Sequence, residues 1–437
     1  MVDALPREIV PQLAALGQAL AQVGQGNQDA PLAVLEQQVL TVVRAALPGL
    51  LGAVVRMSQR SLQPVGARQR WRCPACTGSS RVQRWQKRKV LTVCGPLRYE
   101  RPWYRCRRCR QGFSPTDQAL GVARRERLSE GVRGWAIEVG ATTSFAPAAQ
   151  MLARLTGLQV SPETVRQQTE ACGAALEREQ AQASEAVLQP EGVAPAAPAP
   201  GQLVVETDGV MVRFTDGWHE VKIGVVGGHV GGKLTAMSYT GARMGPEQFG
   251  PRLLAEAARR GALTVVGWQG SPLQPRLAVL RKVIVVADGA PWIWHLAAEQ
   301  FGTRVEVVDW YHASEHLWTV AKALYPEKAA AAAWAEARLT ELWEQGPAPV
   351  QAALAVALPP TPEAQEVLRR EQGYFRTNAP RMEYPRYRAA GFPVGSGAVE
   401  SAARHVVQQR LKRAGCRWSD AGGQAVVNVC CQMASAA

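Results

Sequence analysis

The chain has 437 residues, 47% of them apolar, and a formal net charge of +14. It is too long for one hydrophobic core and apolar enough for several, so about two to four domains are expected. An odd count of nine cysteines and a leaderless start, MVDALPREIV, argue against a secreted disulfide framework; no apolar run is seen to approach the ~18 residues of a bilayer span, so a cytoplasmic protein with no membrane partner is expected.

Residues 1–50 read as an N-terminal helical segment. Ile9, Leu13, Leu16, Leu20 and Val23 recur at helical spacing, as do Leu32, Leu35, Val39, Val42 and Leu47. Pro31 suits the start of the second helix.

The charge is concentrated. Residues 54–133 hold 20 Lys/Arg against four acids, a balance of +16, which leaves −2 for the rest of the chain. A patch of that density points to a polyanion, most simply nucleic acid. Within it, residues 68–118 read as a basic zinc-ribbon domain. Cys73-x-x-Cys76 and Cys106-x-x-Cys109 flank a β-hairpin with its turn near Cys94-Gly95-Pro96. Four thiolates in two such pairs make a closed tetrahedral Zn²⁺ site, structural rather than catalytic. Arg105, Arg107, Arg108 and Arg110 interleave with the second pair and are expected on the DNA backbone. Trp71, Trp85, Trp103 and Tyr104 serve equally well as core or as stacking surfaces.

Residues 125–188 read as a helical domain resembling a helix-turn-helix. Met151, Leu152 and Leu155 give an apolar face, Thr156-Gly157-Leu158 a turn, and Ser161-Pro162 a capped helix start. Thr164, Arg166, Gln167 and Gln168 then fall where base edges or phosphates are reached, although plain helical hairpins share the pattern.

Residues 189–202, PEGVAPAAPAPGQ among them, are a Pro/Ala linker. After it the pattern turns to strands: LVVETDGVMVRF, HEVKIGVVGG and KLTAMSYTG, then alternating helix and strand through KVIVVADGA and RVEVVDW. The expected fold class is α/β multidomain: a mixed sheet covered by helices over 203–325, an all-helical insertion over 326–392, and a return to the core over 393–437.

Three acids stand out. Asp208 lies inside a Val-rich strand, where a carboxylate is costly unless paired or metal-bound. Asp288 ends KVIVVAD, at the carboxyl end of a strand, where sites of open α/β sheets collect. Glu400 sits in the first turn of a helix that carries Arg404, Gln408 and Lys412 at i+4 spacing, with Arg410 and Arg413 close by. Such a basic face would hold DNA phosphates or simply be solvated. Three carboxylates can hold two Mg²⁺ or Mn²⁺ ions for phosphoryl transfer. Turn and cap roles would explain any one of these acids. Glu206, on the same strand face as Asp208, and Asp309, ending its own strand, are rivals. Trp292, Trp294, Trp310 and Trp318 fall around the same region and are read mostly as core.

The stretches VETDGVMV, VVADGAPWIW, VVDWYHASEHL, GSGAVESAARHVVQQRLKRAGCRWS and the upstream CPAC…YRCRRC together resemble bacterial insertion-sequence transposases of the ISKra type, of the DDE group with an RNase-H-like catalytic domain. The resemblance implies metal-dependent cleavage at transposon ends and transfer of the freed 3′-hydroxyl to target DNA. It assigns the three acids to Asp208, Asp288 and Glu400, and matches Asp309 and His312 to a D-x-x-H motif in which His312 would orient a phosphate. It implies double-stranded DNA as partner and a homo-oligomer on that DNA. It also implies a longer tail than NVCCQMASAA, so two alternatives stand beside it: a decayed or truncated transposase acting only as a DNA-binding protein, and a non-transposing RNase-H-like nuclease.

Overall fold

The helical periodicity at the N-terminus becomes a hairpin of α1 (Val10–Gly26) and α2 (Leu32–Ser58) in the computed structural model, which describes residues 6–27, 29–62, 70–188, 199–266 and 277–435. The expected boundary at residue 50 is corrected: α2 runs eight residues further because its last turns are clamped, with Gly52, Ala53 and Val55 buried, whereas α1 buries nothing. The expectation that no apolar stretch approaches bilayer length is corrected too. Among the described residues, Leu32–Ser58 is one helix long and apolar enough to cross a membrane, by length and composition only. The chain divides into two units, residues 1–168 and 169–437.

In the first unit, β1 (Arg70–Arg72), β2 (Ser79–Thr92), β3 (Gly95–Arg105) and β4 (Gly112–Phe113) form an antiparallel sheet in that order. The hairpin is the expected one, its turn at Val93 and Cys94. Val55 of α2 packs on Val90, Leu97 and Tyr99 of the hairpin. At the hairpin's middle, buried Asp117 of α3 (Pro115–Ala119) ion-pairs with Arg88 at 2.6 Å and with Arg101, and accepts from the Tyr99 hydroxyl at 2.8 Å. A buried charge is tolerable only when so surrounded. Helices α4 (Glu130–Thr142), α5 (Phe145–Thr156) and the start of α6 (Pro162–Ala186) follow, α6 running on into the second unit. Gly157 ends α5 at φ 78°, a left-handed cap, and Ser161 Oγ accepts from the Thr164 amide at 3.1 Å, as the turn and cap residues require. The expected apolar face is wrong in part: Leu152 is buried, but Met151 and Leu155 are exposed.

Positions 189–198 of the expected linker lie outside the described residues; Gln202 already opens a strand. In the second unit, β5 (Gln202–Phe214), β6 (Gly217–Val230) and β7 (Lys233–Ala242) make the expected meander. Helix α7 (Pro246–Arg259) leads to an unforeseen two-stranded pair, β8 (Leu263–Val266) with β9 (Leu277–Leu280). Then come β10 (Val283–Ala287), α8 (Pro291–Gln300), β11 (Arg304–Val308) and α9 (Trp310–Leu324). The five-stranded sheet has the order β7-β6-β5-β10-β11, antiparallel through β7, β6 and β5, parallel through β5, β10 and β11. It is a mixed α/β sheet, as expected.

Successive side chains point to opposite faces of a strand. Phe249 and Leu253 of α7 therefore close over Gly224 on one face, and Ile223 and Gly241 meet Val427 of the last helix on the other. The helical insertion is α10 (Lys328–Gln345), α11 (Pro347–Val356), α12 (Pro362–Asn378) and α13 (Tyr384–Ala389). The chain returns as α14 (Gly397–Ala402), a π-helical turn over Ala403–Gln408, α15 (Gln409–Leu411) and α16 (Asp420–Ser435).

Candidate metal centres

The four cysteines meet. Cys73 Sγ lies 3.5 Å from Cys109 Sγ, Cys76 Sγ lies 3.4 Å from Cys106 Sγ, and all four sulfurs are within 4.8 Å of one another. A tetrahedral zinc ion with ~2.3 Å bonds needs sulfurs about 3.8 Å apart, so the set fits. The backbone is built for it twice over. Thr77 and Arg110, each just after a Cys-x-x-Cys, take φ of 58° and 60°, and Gly78 follows where an added Cβ would sit 3.2 Å from Cys106 Sγ and 3.3 Å from Cys76 Sγ. The Cys109 amide pointing at Cys106 pulls that thiol down, while the crowding of the other sulfurs pushes the Cys109 thiol up. Arg105, Arg107, Arg108 and Arg110 are all exposed, while Tyr104 and Trp103 are core and Trp85 is half exposed.

The second centre follows from strand register. Val286 of β10 pairs with Glu206 of β5, and Ala287 with Val308 of β11. Carried two residues and one residue further, the registers set Asp208, Asp288 and Asp309 level on three adjacent strands. Asp208 and Asp288 each spend one carboxylate oxygen on a following amide, Gly209 at 2.6 Å and Ala290 at 2.9 Å. Among the described residues the other oxygen of each has no protein partner. Burial pushes the Asp208 carboxyl up; the Gly209 amide lowers it, Asp288 raises it and His312 lowers it again, which places these groups in one field.

Glu400, in the first turn of α14, is exposed and without a side-chain partner among the described residues. Its carboxylate, Asp309 and His312 bring ligand atoms within 4.8 Å of one another. The trio that gathers most tightly is therefore Asp309, His312 and Glu400, not Asp208, Asp288 and Glu400. Asp309, however, is fully buried and already occupied. Oδ1 caps α9 by accepting from the His312 amide at 2.9 Å, and Oδ2 accepts from the Ser396 amide and from the Ser396 hydroxyl at 2.9 Å.

Glu206 plays a similar part. It is 1% exposed, and Oε2 accepts from the Val399 amide at 2.8 Å, at the start of α14. Oε1 has no partner. Burial pushes its carboxyl up to about 8 against the opposing pull of that amide. The folded protein thus holds a proton that the unfolded chain, titrating near ~4.3, has released. Stability from this group is complete below the unfolded value and declines as pH rises toward 8. In magnesium-free buffer, the urea midpoint of the wild type should fall between pH 5 and pH 8 more steeply than that of Glu206→Gln. Parallel profiles would remove Glu206 as the source.

Three residues at the same rim were not foreseen. The Tyr374 hydroxyl on α12 donates to the Asp288 carbonyl at 2.9 Å, and its ring stacks on His316 of α9 with centroids 3.6 Å apart. His316 Nδ1 shares a hydrogen with buried Glu371 at 2.5 Å. Gly289, at φ 104°, leaves room for the tyrosine: a Cβ there would lie 2.9 Å from the ring. The clue in the sequence was His316, one turn beyond His312 on the same helix.

One expected DNA contact is corrected. Arg410 is buried, its guanidinium 4.9 Å from the Trp418 ring centre, because the π-helical turn rotates the helix face ahead of it. Arg166, partly exposed, pairs with Glu163 one turn earlier at 2.6 Å. Arg404 and Lys412 are exposed as expected. Of the tryptophans, Trp294 is buried and bonds Asn378, and Trp292, Trp310 and Trp318 pack partly buried against the core.

Residues 33–222 match the model of an uncharacterised protein family, UPF0236. The similarity takes in the cysteine ribbon and the strand of Asp208, and stops short of Asp288 and Glu400. No curated protein matches the chain.

Proposed function

We propose that the chain is a DNA transposase of the DDE type, with an RNase-H-like catalytic unit and a zinc-ribbon DNA-binding unit. The observation that carries this reading is the level row of Asp208, Asp288 and Asp309 across three parallel strands, with Glu400 brought beside it by α14. The mixed sheet, an antiparallel meander continued by two parallel strands, supports this reading. Asp208, Asp288 and Glu400 are the ligands of choice because each keeps carboxylate oxygens open. Two Mg²⁺ or Mn²⁺ ions bound there would activate the attacking oxygen and stabilise the leaving one.

The protein's own groups do the rest. Asp309 and Glu206 fasten the start of α14 so that Glu400 faces the strand ends. Tyr374 holds the Asp288 carbonyl, and His312, beside Asp309 and Glu400, would orient a scissile phosphate. Exposed Arg404 and Lys412 continue from Glu400 as phosphate contacts. Pairing of two transposon ends calls for at least two copies of the chain.

The test is cleavage and strand transfer on DNA carrying the ends that flank the reading frame. Asp208→Asn, Asp288→Asn and Glu400→Gln should each lower Mg²⁺- or Mn²⁺-dependent cleavage by roughly a thousandfold, several kcal/mol of charge stabilisation, with DNA binding retained. Wild-type rates in Glu400→Gln would overturn the assignment. Cleavage without transfer of pre-cut ends would make the protein a nuclease, and binding without cleavage would leave it a DNA-binding protein.

A further inference from the structure

The basic excess of the first unit is not spread over the ribbon alone. A groove of about 890 Å³ runs between the hairpin, the 123–128 loop and the first turns of α6. Lys89, Arg125, Arg127 and Arg133 line it, opposed by the single acid Glu126, which Arg133 neutralises at 2.6 Å. Lys89, Arg125 and Arg127 are exposed and have no acidic partner among the described residues. Three unpaired cations around one groove are an uncompensated positive field aimed at a polyanion.

The groove is also rigidly made. The Arg88 guanidinium, itself buried on Asp117, donates to the Glu126 carbonyl at 2.8 Å and to the Ala123 carbonyl, so the loop is held from beneath. The Leu91 amide donates to the Arg127 carbonyl at 2.8 Å, and the Ser129 amide returns a bond to the Leu91 carbonyl at 2.8 Å. Arg125 and Arg127 therefore sit on a backbone laced to the hairpin, and little ordering remains to be done on binding. Thr164, Gln167 and Gln168 of α6 form the opposite wall.

We infer that this groove is a seat for duplex DNA, with Lys89, Arg125 and Arg127 on backbone phosphates and the start of α6 against the duplex. The inference rests on the DNA reading above and gives it a location other than the cysteine-knuckle arginines. The lining decides between nucleic acids. Among the described residues no aromatic side chain lines the groove, so a single strand would find no surface there on which to stack its bases. A helix of ~10–12 Å diameter, by contrast, fits the ~12 Å major groove of a duplex.

The experiment uses the full zinc-loaded chain and a random-sequence 30-base-pair duplex in fluorescence anisotropy between 50 and 200 mM salt. The triple variant Lys89→Ala, Arg125→Ala, Arg127→Ala should lower the salt slope of log K by about 2 to 3, or ~0.9 per lost phosphate contact. Affinity at low salt should fall at least about tenfold, while Arg107→Ala with Arg108→Ala has the smaller effect. Arg125→Glu alone should give the same direction should the triple variant fold poorly. A wild-type slope in both variants overturns the groove, as does tighter binding of single-stranded DNA or RNA than of duplex, or no duplex binding by the wild type. Loss of cleavage in the wild type with duplex binding intact would sink the transposase reading and leave the groove standing.

Discussion

Stripping zinc from the ribbon should unfold one end of its sheet and leave the other in place. Among the described residues the four cysteines sit in a small cluster of Cys73, Tyr104, Cys106 and Phe113, with Trp71 and Val82 half-covered beside it. So small an apolar cluster cannot offset the entropy of ordering its strands. Zinc in such sites contributes an apparent ~10–16 kcal/mol at neutral pH, which is folding energy when no site exists in the unfolded chain. The far end of the hairpin has its own supports. Val90, Leu97 and Tyr99 pack on Val55, and Asp117 gathers Arg88 and Arg101. Chelation, or Cys73→Ser with Cys106→Ser, should therefore expose the amides of 70–82 and 103–113 to hydrogen exchange, while those around 88–99 stay protected. Metal analysis should give one zinc per chain, lost in the double variant. Unchanged exchange at 70–82 after complete chelation would show that the cysteines are not a structural metal site.

What was legible in the sequence is what local chemistry dictates. Paired Cys-x-x-Cys, the Cys94-Gly95-Pro96 turn, the Ser161-Pro162 cap and the three strand runs each carry their own signal, and each lies where expected. The helical insertion was legible because Ala-rich segments without β-branched runs have few other choices. Facing was harder. Met151 and Leu155 looked like core on periodicity but are exposed, and Arg410 looked like a surface contact but is buried, because a π-turn shifts the helix register and no residue type announces one. The candidate acids could be named but not ranked. Which carboxylate oxygens are spent on amides depends on Ser396 reaching Asp309 from 87 residues away and Val399 reaching Glu206 from 193, and that is a property of the folded chain.

Replacing Asp309 by Ala should cost stability before it costs chemistry. Its carboxylate is fully buried, and three donors converge on it: the His312 amide, and the Ser396 amide and hydroxyl. Its own backbone amide donates to the Ala287 carbonyl at 2.7 Å, and the Trp310 amide donates to the Val394 carbonyl at 2.8 Å. One residue thus joins the ends of β10 and β11, the start of α9 and the segment that delivers Glu400. Removing the acceptor strands buried donors, each worth about 1–3 kcal/mol, and uncaps a 15-residue helix for about 1 kcal/mol more. Asp309→Ala should therefore lower unfolding free energy by roughly 3–5 kcal/mol. Asp309→Asn keeps one acceptor oxygen but turns an NH₂ toward either His312 or Ser396, and should fall between. Ser396→Ala removes one donor only and should cost about 1 kcal/mol. Asp208→Asn and Asp288→Asn, with oxygens open to solvent or metal, should leave stability without magnesium nearly unchanged. The comparison also decides the rivalry between Asp288 and Asp309. Were Asp309→Ala as stable as the wild type but deficient in Mn²⁺ binding, Asp309 would be the second metal-holding acid. A large loss of stability, with Mn²⁺ affinity lost in Asp288→Asn, assigns Asp309 to the frame and Asp288 to the metal.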